Sequence, residues 1–158
     1  MTSTYKFYMQ ECSKKGVILA GSQERDLEND PEFQGLKYSK AEGIDKIGKP
    51  RIYTEEFSDS DRLRVHIPEN ITNDPTTVRF TFFFTGENRR ISYKNFVDFV
   101  RGGYRVYHDT ARGKYLYFFV NSEIAPAKEL WYGSSPYLEL QLTVQNIFGR
   151  TFDAPIEE

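Results

Sequence analysis

Thr77-Val-Arg-Phe-Thr-Phe-Phe-Phe-Thr-Gly-Glu-Asn-Arg-Arg-Ile-Ser-Tyr-Lys-Asn-Phe-Val-Asp-Phe-Val-Arg-Gly-Gly-Tyr-Arg-Val-Tyr107 runs from an aromatic strand through a polar turn into a short amphipathic helix, and out through two glycines into another strand. In the first half Val78, Phe80, Phe82 and Phe84 share one face while Arg79, Thr81 and Thr85 take the other, the period of two of a half-buried sheet. Phe83 interrupts the polar face. Past Thr85-Gly-Glu-Asn88, Ser92 is placed to cap a helix over about Ser92–Arg101 whose Tyr93, Phe96, Val97 and Val100 fall at i, i+3, i+4 and i+7. Gly102-Gly103 then offer a left-handed stop. The stretch predicts a mainly β domain, a β-sandwich or partly open β-barrel, with one principal α-helix. It carries no catalytic motif.

Outward from it the same texture continues. Lys114-Tyr-Leu-Tyr-Phe-Phe-Val120 has apolar residues on both faces, as a strand covered on two sides would. Leu138, Leu140, Leu142 and Val144 alternate cleanly with Glu139, Gln141, Thr143 and Gln145. Upstream, Tyr5–Met9 and Val17–Ala20 read as a hairpin, and Arg51–Thr54 and Arg62–Ile67 as two further strands, the second with one wet face. Gly21–Gly48 reads as a long polar loop, with Leu36–Ser39 the one candidate strand inside it. Such a loop is expected to be functional, mobile or ordered by a partner. Asp153–Glu158 is expected to fray.

With 158 residues the chain fits a single domain. Its 13 Phe and 11 Tyr mean that rings build the core, which suits pleated surfaces. A net charge of −2 supplies no field that would draw in nucleic acid or an anionic membrane. One cysteine, Cys12, rules out an intramolecular disulfide and a thiolate-rich zinc site. No stretch reads as a signal peptide or a bilayer span. Synthesis in a cytoplasm is the simplest expectation.

Cys12 has only Lys14 and Lys15 nearby and reads as a spectator thiol. His66 and His108 lack a companion motif, though His108-Asp109 could orient an imidazole for general-base work in a small enzyme. Glu55, Glu56, Asp59 and Asp61 miss the calcium-loop spacing and read as a solvated run. No phosphate-cradling glycine loop is present. No cofactor or metal is expected, and no enzymatic activity. Arg89, Arg90, Arg101, Arg105 and Arg112 interleave with Tyr104, Tyr107 and Tyr115, a mixture that suits base stacking or a protein interface; with so little net charge, protein contact is favoured. The expected assembly interface is Arg105, Tyr107, Arg112 and Trp131, with Leu36 and Tyr38 from the 21–48 loop.

From Arg62 to Phe152 the order of elements resembles the domain shared by tail-tube and distal-tail proteins of long-tailed bacteriophages. The carriers are the helix and its exit Tyr93-Lys-Asn-Phe-Val-Asp-Phe-Val-Arg-Gly-Gly103, the hairpin Tyr107-His-Asp-Thr-Ala-Arg-Gly-Lys-Tyr115 and the strand Leu138-Glu-Leu-Gln-Leu-Thr-Val144, which are similar to the N-terminal domain of distal-tail proteins. The resemblance implies a non-enzymatic subunit of a phage or prophage tail. It would form a homo-oligomeric ring and touch other tail proteins, in the host cytoplasm during assembly and then in the virion tail. Nucleic acid would meet it at most through the channel, and no membrane is involved. Distal-tail proteins often carry a second domain, which has no counterpart here. The alternative is a carbohydrate-binding β-sandwich, which requires a flat row of exposed rings such as Trp131 and Tyr132.

Overall fold

A computed structural model describes residues 6–49, 53–56, 63–66 and 73–156, with the side chains of 53–56 and 63–66 outside that description. The fold is mainly β, with ten strands among the described residues: β1 (Phe7–Glu11), β2 (Arg25–Asp26), β3 (Leu36–Glu42), β4 (Tyr53–Glu56), β5 (Leu63–His66), β6 (Thr76–Thr85), β7 (Arg105–Asp109), β8 (Lys114–Phe119), β9 (Lys128–Tyr132) and β10 (Ser135–Asn146). One α-helix among the described residues, α1 (Arg89–Val100), follows β6. Eight strands form one antiparallel sheet in the order β2-β1-β7-β8-β10-β6-β3, with β9 also on β10.

The long strand β10 organises the sheet. One edge pairs with β6 over its whole length from Tyr137↔Thr85 to Asn146↔Thr76. The other pairs first with β9, at Ser135 to Glu139, and then with β8 at Gln145 and Asn146. Two ladder pairs and the Ile147 N–H, which donates to Tyr117 O at 2.9 Å, therefore join the half built on β6 to the half built on β7 and β8, and the sheet folds over along that short seam. Phe80 of β6 meets Tyr107 of β7, ring centroids 5.0 Å apart, and Phe118 of β8 at 5.8 Å. Near the outer edges Phe7 of β1 stacks on Tyr38 of β3 at 4.1 Å although those strands are not paired. Of the two expected architectures, the partly open barrel describes this closure better.

The expected alternation holds where the sheet is regular. Leu138, Leu140, Leu142 and Val144 sit opposite Phe84, Phe82, Phe80 and Val78, and all eight are buried. These cross-strand pairs of rings and aliphatic chains are the main stabilising unit of the sheet. In β8, Leu116 and Phe118 enter this core while Tyr117 enters a second cluster on the opposite face.

Four expectations need correction. The helix begins at Arg89, and Ser92 lies within it: its Oγ donates to the Gln34 carbonyl at 2.7 Å, so its hydroxyl is used on a neighbouring segment instead of as a cap. The stop at Gly102-Gly103 is not left-handed in the usual sense, since Gly103 has φ 151°. Residues 21–48 are not a loop, because Leu27, Phe33, Leu36, Ala41 and Ile44 are all buried in the main core, and β2, β3 and a 3-10 turn at Pro31–Phe33 run through them. The chain orders this segment itself. Residues 153–156 do not fray: Ile156 N–H donates to the Tyr117 hydroxyl at 2.8 Å, and Asp153 pairs with Lys114.

The expected hairpin at Val17–Ala20 reduces to a single bridge, Cys12↔Ile18. Strands β4 and β5 appear where expected and pair with each other in a separate two-stranded ribbon. The wet face expected for the second lies outside the described residues. On either side of the ribbon in sequence the described chain is joined by a neck of close backbone contacts, where Asp74 N–H donates to Lys49 O at 2.8 Å and Gly48 N–H to Gly149 O at 2.7 Å. A Cβ at Gly48 or Gly149 would collide with the Asp74 carbonyl oxygen. Among the described residues no helix is long and apolar enough to cross a membrane.

Candidate functional site

The six residues expected to make an interface do not share a surface. Strand β7 places Arg105, Tyr107 and Asp109 on its inner face and Val106 and His108 on the outer one. Tyr107 and Leu36 are wholly buried and Arg105 nearly so, which removes these three from any contact made by the folded chain's surface.

Arg105 instead closes the C-terminus of α1. Its Nε donates to Phe99 O at 3.0 Å, one Nη donates to Tyr104 O at 2.9 Å, and the guanidinium lies over the Phe99 ring at 4.7 Å. A helix end leaves carbonyls unsatisfied, and a buried cation there answers both their hydrogen-bonding need and the helix dipole. Gly102 makes room, because a Cβ at that position would stand 2.8 Å from the Arg105 guanidinium. Burial pushes the guanidinium's pKa below its ordinary value, and Glu11 opposes the shift. Arg105→Ala should lower stability by about 3 kcal/mol, since two charge-assisted hydrogen bonds, one buried and one partly buried, are lost. Arg105→Lys should recover little, because an ammonium cannot reproduce the planar fork. Chemical denaturation measures both, and near-complete rescue by lysine would refute the fork.

Arg112, Tyr38, Tyr107 and Asp109 do come together, as a latch across the mouth of the barrel. Asp109 is fully buried; it accepts from Arg112 Nη at 2.7 Å, from Arg112 N–H at 3.1 Å and from the Tyr107 hydroxyl at 3.4 Å. Arg112 also donates to the Tyr38 hydroxyl at 3.5 Å, tying the β7–β8 turn to β3. The Tyr38 hydroxyl and the Asp109 carboxylate push the Arg112 pKa up, and burial pushes that of Tyr107 up strongly. A carboxylate already neutralised by its own arginine serves structure more readily than proton transfer.

The reactive candidates stay apart. His108 stacks between Tyr115, 4.1 Å away and nearly parallel, and Tyr8 at 5.9 Å on the outer face, whereas Asp109 faces inward. The suggested His108-Asp109 dyad is therefore not formed. Cys12 is buried beneath Phe148, Phe152 and Ile156, and burial pushes its thiol up to about 11, with Arg105 opposing. A thiol so shifted is a poor nucleophile at neutral pH. Among the described residues no three His, Cys, Asp or Glu side chains converge as a metal site. The side chains of Glu55, Glu56 and His66, and all of Asp59 and Asp61, lie outside the described residues.

Arg89 and Arg90 are both bound by Glu129, which takes them out of any free basic patch. Beyond Glu129, β9 carries Trp131 and Tyr132 to the tip of the β9–β10 ribbon, 64% and 83% exposed. Neighbouring residues of a strand face opposite sides, so these two rings do not form the flat row that a sugar-stacking platform needs. Along the last two turns of α1 runs a cleft of about 630 Å3, floored by Tyr93, Val97, Val120, Ile124 and Pro126. The sequence signal for it was present but short: Val120, Ile124 and Pro126 lie in a connection without periodicity. No protein-family model matches the chain, and no curated protein matches it either.

Proposed function

We propose that the chain is a structural subunit of a long-tailed phage or prophage tail, of distal-tail or tube type, working by self-association and by contact with neighbouring tail components. It performs no catalysis, assembles in the host cytoplasm and ends in the virion tail. Support comes from the element order: β6, α1, the β7–β8 hairpin and β10 follow one another over the stretch that resembles that family. The observation that carries the reading is the β4–β5 ribbon, which, among the described residues, pairs with no strand outside itself. A two-stranded ribbon on its own is marginal in water, and a neighbouring subunit would stabilise it.

The neck makes a clean test possible. Because Lys49 and Asp74 are already hydrogen-bonded, residues 51–71 can be replaced by a short glycine-serine link at little cost to the body. The shortened protein is expected to fold with an unchanged melting transition and yet fail to support assembly of infectious particles in a complementation assay. Normal tails built from it would overturn the proposal and leave glycan binding as the reading to pursue on arrays. Arg112→Glu is unsuitable as an interface probe, since it would set a second carboxylate against buried Asp109.

A further inference from the structure

We propose that copies of this chain join head to tail, the Trp131-Tyr132 tip of one copy seating in the cleft beside α1 of the next. The inference rests on the reading of the chain as a self-associating subunit and adds the surfaces that meet. The tip from Trp131 to Pro136 bears no charge and presents two large rings to water. Exposed rings of this kind mark contact sites, and tryptophan and tyrosine are the commonest anchors of protein interfaces. The cleft is the matching shape: concave, with an apolar floor between the polar side chains of Arg101, Ser122 and Glu123, and, at about 630 Å3, roomy enough for an indole. Tyr93, Val97, Val120 and Ile124 also rest on the main core, so its floor is preformed.

Charge matches as well. Arg101 and Glu123 flank the cleft, while Glu87 and Lys128 stand at the base of the tip. All four are exposed, and none takes part in an ion pair among the described residues. Each surface thus offers one free charge of each sign, and the contact can be neutral in pairs.

A copy cannot fill its own cleft. The tip lies beside Gly86, Glu87 and Arg89, at the start of α1, and Glu129 is held there by Arg89 and Arg90. The cleft lies along Tyr93, Val97 and Arg101, with Val97 about 12 Å further down the helix from Arg89. Strand β9 is fixed to β10 from Lys128 to Tyr132 and cannot fold back. Two different patches that complement each other give a heterologous contact, which repeats into a closed ring or an open filament.

Ser134→Cys at the tip and Ser122→Cys beside the cleft, made in separate full-length chains and mixed under mild oxidation, test the contact; buried Cys12 should stay silent. A disulfide-linked dimer of one variant with the other is expected, in excess of either self-linked species. Adding Trp131→Ala to the tip chain should weaken association about thirtyfold by sedimentation, with the circular dichroism spectrum unchanged because Trp131 is exposed. Equal self-linking, or mixed cross-linking that ignores Trp131→Ala, overturns the proposal. Chains that associate without the mixed cross-link overturn it and leave the subunit reading standing. Chains that stay monomeric at every concentration and in reconstituted particles overturn both.

Discussion

Phe82→Ala is expected to lower the stability of the domain by about 3 to 5 kcal/mol, a large share of what a domain of this size possesses. The Phe82 ring is wholly buried where three elements meet: Tyr38 of β3 at 6.0 Å, Phe80 of β6 at 5.6 Å and Phe96 of α1 at 4.8 Å. Truncation removes the transfer free energy of the ring and leaves a hole that neighbours on three rigid elements cannot all close. Phe83→Ala is the internal control. Its ring is half-buried on the opposite face and meets Tyr137 at 5.6 Å, so it should cost less than about 2 kcal/mol. Urea titration of both variants decides the matter; equal midpoint shifts would mean that the two faces of β6 have been assigned wrongly.

That β6 and β10 could be read from sequence has a simple cause. Each is regular, each has one face in the core, and each is long enough for a period of two to stand out. Strand β3 has the same environment and was seen only in part. A bulge between Tyr38 and Lys40 shifts its register, so that Tyr38 and Ala41, three apart, both turn inward against Phe82 and Phe80. Alternation read from Leu36 therefore fails after Ser39. Leu27, Phe33 and Ile44 were missed for a related reason: each enters the core singly, from a turn or a 3-10 segment, where no period exists to detect.

The candidate site was misread by polarity. In Arg105-Val-Tyr-His-Asp109 the polar residues face inward, against the ordinary rule, because a helix end needs a cation and a hairpin turn needs a carboxylate. Alternation was visible there, but it does not say which face is the inner one. Only the neighbours decide that. Trp131, expected at the surface, is indeed exposed.

The outer cluster gives the prediction with the largest kinetic effect. Phe148, Phe152 and Ile156 cover Cys12, Val106 and Tyr117, and the rings of Tyr117, Phe148 and Phe152 contact one another edge to face at 5.5 to 5.7 Å. This cover lies opposite the main core, so it is expected to open on its own. Phe152→Ala should weaken it by about 3 kcal/mol and speed labelling of Cys12 by a thiol reagent about a hundredfold, while the global melting transition moves far less than for Phe82→Ala. The pH dependence follows from the same burial. The folded chain keeps the thiol protonated up to about 11, so this contribution to stability is whole below the thiol's pKa in the unfolded chain and is lost as pH rises from there through about 11. Water admitted by Phe152→Ala should bring the thiol back towards its ordinary pKa and flatten that alkaline loss, as Cys12→Ala should in an intact cover. An unchanged labelling rate in Phe152→Ala would show that the tail does not guard the thiol. In that case the raised pKa must come from the sheet alone.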